Sequence, residues 1–152
     1  MNFLNRLYAP FLGGPGALGL LALRVVAGLA LMLHGLPKIQ NPFGWMGPSA
    51  PVPGFFQFLA AFSEFFGGLA LIVGLLTPIA ALGVFFTMLF ASYTHISRGD
   101  PFVAKGGGPS FEPALGYLAV ALLLMLAGPG ALSLDALLFG KKRGGPVVAS
   151  GT

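Results

Sequence analysis

Residues 54–76 form an apolar run of about 23 residues, enough to cross the roughly 30 Å hydrocarbon core of a bilayer as one helix. A single carboxylate, Glu64, sits near its middle. An unpaired charge at that depth is expensive, so such residues pair with one another or face a polar cavity. Among the other ionisable residues only Arg24 lies as deep in an apolar run. The run therefore points to a membrane-embedded chain and to Arg24 as the partner of Glu64.

Composition supports the same assignment. Charged residues make up 8% of the 152 positions and hydrophobic ones 56%, with a mean hydropathy of +0.89. Soluble domains carry about one-quarter charged residues. A soluble fold of this size buries only about 60–70% of its chain's surface, too little to hide so much apolar area. The lipid bilayer is thus the first partner. The net charge of +4 falls at segment ends and loops, where it reads as a topology signal and not as a nucleic-acid footprint. Cysteine is absent, which excludes disulfides, thiolate nucleophiles, iron–sulfur clusters and Cys-ligated zinc. No phosphate loop, Ser/His/Asp set or metal-ligand spacing is present. No complete catalytic set is visible, and no metal site is expected.

Taken in order, residues 1–15 read as an N-terminal interfacial segment, with Arg6, Tyr8 and the breaker Gly13-Gly14-Pro15. The late first apolar run, with Arg24 in it, argues against a cleaved signal peptide. Residues 16–139 form one membrane domain with spans over 16–36, 54–76, 78–96 and 113–127. The first span ends at Gly35-Leu36-Pro37-Lys38, with a cation in the last turn where the helix dipole favours it. Residues 39–53, rich in Pro and Gly and carrying Trp45, read as a loop or re-entrant piece. Thr77-Pro78 supplies an N-cap and a first-turn proline for the third span, and Ser110 or Glu112 caps the fourth. After Gly128-Pro129-Gly130, residues 131–139 read as a short helix on the membrane surface, with Ser133 or Asp135 near its start. Residues 140–152 are a basic, flexible tail opened by Lys141-Lys142-Arg143. The fold class is all-α: an integral membrane antiparallel four-helix bundle. The positive-inside bias places both termini in the cytoplasm.

Two constellations carry what chemistry the sequence offers. Arg24 and Glu64 differ in expected depth by only about 5 Å at 1.5 Å per residue, so an intramembrane ion pair is within reach. It serves either as a proton-relay or quinone-contacting pair or as a structural clasp that sets helix register. His34, Lys38, His95 and Glu112 share the outer boundary, at the ends of the first, third and fourth spans. Two histidines at equal depth are the minimum for a bis-His haem, but no second pair or spacing motif supports one. The same residues suit a quinone headgroup, donating to and accepting from its oxygens.

Several stretches together resemble the DoxX family of small four-helix membrane proteins. They are Arg24, Gly28, His34-Gly35 and Lys38 on the first span, and Glu64, Gly67-Gly68-Leu69-Ala70-Leu71 and Gly74-Leu75-Leu76-Thr77-Pro78 on the second. Gly128-Pro129-Gly130-Ala131-Leu132-Ser133-Leu134-Asp135 follows the fourth. The resemblance covers about residues 18 to 140 and implies a bacterial or archaeal cytoplasmic (inner) membrane. Some members are small subunits linked to quinone-dependent oxidation of sulfur compounds, to terminal oxidases or to oxidative-stress complexes. Carried over, Arg24, Lys38, Glu64 and Glu112 are the positions of interest. The expectation is a small accessory subunit of a membrane electron-transfer complex, contacting a quinone or bracing larger subunits. The alternatives are a ligand-free assembly protein, or a small-solute transporter working as a homo-oligomer.

Overall fold

The computed structural model describes residues 10–140, which are helical with no strand among them. The interfacial role expected of Tyr8, the topology signal of Arg6 and the headgroup contact expected of Lys141, Lys142 and Arg143 lie outside the described residues. Helix α1 spans Gly14–Ile39, α2 Gly54–Val73, α3 Thr77–Ser97, α4 Glu112–Ala127 and α5 Leu134–Phe139. The first three run 26, 20 and 21 residues and are apolar enough to cross a membrane. Helix α4, at 16 residues, is only about 24 Å long at 1.5 Å per residue.

The side chains are distributed as lipid requires. A small core of Leu20, Leu31, Leu71, Val84, Met88, Ala121 and Leu124 is buried between the helices. Val26 and Leu126 meanwhile stand 70% and 71% exposed on the outside. No water-soluble domain tolerates so continuous an apolar surface. The chain is an integral membrane protein whose outer surface contacts lipid.

Small residues set how α1 and α2 meet. A Cβ on Gly28 would lie 2.6 Å from the Gly68 carbonyl oxygen, and one on Gly35 2.5 Å from the Phe65 nitrogen. Only glycine lets the two backbones approach this closely, which is how membrane helices gain van der Waals contact. Rising numbers on α1 meet falling numbers on α2, so these two helices run in opposite directions. That register puts Arg24 beside Leu71 and Ile72. Glu64 lies about 12 Å further along α2.

The helix ends depart from the sequence expectations in instructive ways. Helix α1 continues through Pro37 to Ile39, because its last turn is held onto α2 by Lys38. Helix α2 stops at Val73, where Gly74 adopts the left-handed conformation at φ +69° and closes a Schellman turn with Leu75 N–H donating to Ala70 O. Thr77 does not cap α3: its hydroxyl is buried with no partner among the described residues. The cap comes instead from Asp135, 58 residues away, whose carboxylate accepts from the N–H groups of Leu76 at 2.7 Å and Thr77 at 2.8 Å. Neither Ser110 nor Glu112 caps α4, which Phe111 precedes with no side-chain bond. Helix α5 is capped by Ser133, accepting from Ala136 N–H at 3.1 Å. With Asp135 fully buried, α5 is docked into the protein at its start and does not simply lie on a surface.

Candidate functional site

Glu64 lies in a π-helical turn, Ser63–Gly67, that interrupts α2. Single π-turns of this kind are rare and recur at functional sites. Gly35 lets α1 pack directly on that turn, which brings Lys38, one turn on, to the carboxylate. The Lys38 ammonium sits 2.6 Å from Oε1 and 2.5 Å from Oε2 of Glu64. The carboxylate side chain is 4% exposed and the lysine 24%. The ammonium also lies 4.6 Å from the centre of the Trp45 ring, a cation–π contact. Trp45 is held in turn by Nε1–H donating to Gln57 O at 3.0 Å. The Gln57 side chain accepts from Met46 N–H at 3.0 Å and donates to Val52 O at 2.8 Å. The loop after α1 is thereby folded over the pair.

The expected Arg24–Glu64 pair is therefore replaced by Lys38–Glu64. The reason is register: the glycine contacts that seat α1 on α2 leave the two residues at different depths. Arg24 belongs to another polar cluster. It is fully buried and donates to the carbonyls of Leu71 at 3.2 Å, Ile72 at 3.4 Å and Leu132. Asp135, also fully buried, belongs to the same cluster. Asp135 N–H donates to Gly74 O at 2.8 Å, and Ser133 Oγ donates to Gly130 O at 2.7 Å. One cluster thus ties α1 to the α2–α3 turn and to the segment after α4.

Beside the Lys38–Glu64 pair lies a cavity of about 230 Å³. His34 and Lys38 from α1, Glu64 from α2, His95 from α3, and Ser110 and Tyr117 from the α4 side line it, with Leu31 and Met88 as apolar wall. His34 packs edge-on to Tyr117 at 6.3 Å between ring centres. His95 Nδ1 lies 2.8 Å from Asp100 Oδ2. Three of the four boundary residues picked from sequence thus share one cavity. The fourth, Glu112, is exposed and lines a separate groove of about 580 Å³ with Leu23, Val26 and Val120. Pro113 and Tyr117 border both spaces.

Sequence reasoning did not single out Trp45 and Gln57 as partners of the site, nor Asp100. Gln57 is a lone amide near the start of an apolar run, and Asp100 follows a glycine at a helix stop. Both are signals of a kind, but only packing says what they touch. Chemically the cavity offers an ammonium, two imidazoles and two hydroxyls around a neutralised carboxylate. Such a set can donate hydrogen bonds to, and accept them from, the oxygens of a small ligand. Among the described residues no cluster of three or more His, Asp or Glu is arranged to hold a metal.

Comparison with known proteins agrees with this membrane reading. Residues 19–96 match the family model described as DoxX. A Bacillus subtilis protein, CatD, whose name assigns it provisionally to the oxidoreductases, is 33% identical over 87% of this chain and 96% of its own length. The Escherichia coli inner membrane protein YqjF is 34% identical over 79% of this chain and 92% of its own. A Haemophilus influenzae protein of unstated function is 32% identical over 78% and 90%. No solved structure matches the chain.

Proposed function

The chain belongs to the DoxX family, and from that premise we propose that it is a small subunit of a membrane electron-transfer complex whose cavity receives a quinone headgroup. Its architecture on this reading is a four-span antiparallel bundle in the cytoplasmic membrane. Both termini face the cytoplasm, so the cavity opens near the outer boundary. The observation that carries the proposal is the placement of Lys38–Glu64, His34 and His95 around one cavity among otherwise apolar helices. Intramembrane ionisable residues around a cavity are the usual mark of a ligand or proton site. The name of the Bacillus relative supports a link to oxidoreduction, and that of the Escherichia coli relative supports the inner membrane. The separate, mostly apolar groove on the other side of Pro113 and Tyr117 suits the hydrocarbon tail of such a ligand. The electrons come from, or go to, a larger subunit that this one accompanies.

The test is to purify the protein in mild detergent and extract it for quinone. Roughly one quinone per chain is expected, lost in Glu64→Gln while the variant stays folded, since that change removes the ammonium's charged partner but keeps the shape. Folded wild-type protein that retains no quinone, and binds none on addition, overturns the reading in favour of a ligand-free scaffold.

A further inference from the structure

The turn that ends α3 brings an acid back onto the ring of His95. Gly99, at φ +76°, donates its N–H to Ile96 O, and Asp100 donates its N–H to His95 O, both at 3.0 Å. This is the Schellman pattern, which closes a helix with backbone groups alone. The Asp100 carboxylate is therefore not required as a cap. It lies 2.8 Å from His95 Nδ1, with its side chain only 15% exposed. A carboxylate at one ring nitrogen keeps the proton there and leaves the other, Nε2, as the basic atom. His34, the other cavity imidazole, meets the Tyr117 ring instead. The remaining ionisable groups that line the cavity with His95 are Lys38 of α1, Glu64 of α2 and Tyr117 of α4. Lys38 and Glu64 already neutralise each other, so His95 is the imidazole with a dedicated counter-charge.

The geometry points to His95 Nε2 as the proton acceptor for the hydroxyl of a hydroquinone held in the cavity, with Asp100 as its positioning residue. This inference rests on the quinone-site reading above. In the step, the ligand O–H bond breaks as an N–H bond forms at Nε2. A bound hydroquinone monoanion and an imidazolium result, and no electron moves. The Asp100 carboxylate balances the new positive charge, which general-base catalysis by a histidine needs. The partly exposed pair then passes the proton to water beyond the cavity.

The experiment uses the full chain in lipid nanodiscs under anaerobic conditions, with a decyl-substituted benzohydroquinone as probe. The ultraviolet band of the bound hydroquinone anion is recorded, together with nitrogen-15 spectra of the histidine rings. Expected in the wild type are an anion band at a pH where the free probe is neutral, and a His95 ring protonated at Nδ1. In Asp100→Asn the anion fraction should fall about tenfold or more, with the Nδ1–H form no longer preferred, and Asp100→Glu should restore both. Should Asp100→Asn not fold, His95→Gln supplies the comparison of the anion band alone, which should be lost. A variant that binds the probe with the wild-type anion band and ring tautomer overturns the role of the pair and leaves the quinone site standing. Folded wild-type protein that binds no probe overturns both.

Discussion

Arg24 and Lys38 are both cations on α1, and the two ends of the helix treat them differently. Arg24 is fully buried and donates to the carbonyls of Leu71, Ile72 and Leu132, in a cluster whose Asp135 is itself bonded to the backbone of Leu76 and Thr77. The bonds of Arg24 and Asp135 all cross between separate elements of the chain. Lys38 keeps a quarter of its side chain accessible and meets Glu64 at the edge of a cavity that two histidines share. A charge shut away from both cavities, even with its Nε unpartnered among the described residues, has nothing to offer a ligand. A charge pair at a cavity wall does. The Arg24 end thus ties separate elements of the chain together, while the Lys38 end borders a cavity.

The largest effect that tests this contrast is removal of Arg24. Arg24→Ala leaves the buried carbonyls of Leu71, Ile72 and Leu132 without their donor, and stability should drop by about 3–5 kcal/mol, since each buried acceptor left unsatisfied costs about 1–3 kcal/mol. Thermal unfolding in detergent, or the yield of folded protein in membranes, reads this out. Asp135→Ala should cost a similar amount, because it uncaps α3, and the double variant should lose less than the sum of the two. Additive losses would mean that the two residues act separately, and the contrast would fail.

A smaller stability change is expected at the other end. Glu64→Gln should cost about 1–3 kcal/mol, as a buried hydrogen-bonded group loses its charge assistance, while retention of quinone is lost. If it unfolds the protein as severely as Arg24→Ala does, the Lys38 end is a structural clasp. The smallest effect is at Trp45→Phe, which keeps an aromatic ring for Lys38 and removes only the Nε1–H bond to Gln57 O. About 0.5–1.5 kcal/mol is expected, and limited proteolysis should show the loop of residues 40–53 opening sooner. A variant indistinguishable from wild type would mean that the loop is held by Gln57 alone.

Much of this molecule is legible in its sequence. The apolar runs announced membrane helices, because only a helix satisfies its own backbone in lipid, and the Gly/Pro breakers between them came close to the helix ends. His34, Lys38 and His95 were identifiable as neighbours in depth, since each closes or nearly closes a span. What could not be read was who faces whom. Arg24 and Glu64 looked like natural partners because they are the two ionisable residues deepest in apolar runs. Counting residues from a span's end assigns a depth but not a register.

The close approaches at Gly28–Gly68 and Gly35–Phe65 decide that register, and they are tertiary facts. Asp135 shows the same limit in another form: Thr77-Pro78 is a good local start for a helix, yet an acid 58 residues later supplies the cap. By itself the sequence determined the solvent, the helices and the residue types available for polar work, because burial and backbone bonding in lipid depend on local composition. The pairing of charges was left to the tertiary structure, because a salt bridge forms over a few ångströms and one shift of helix against helix changes its partner.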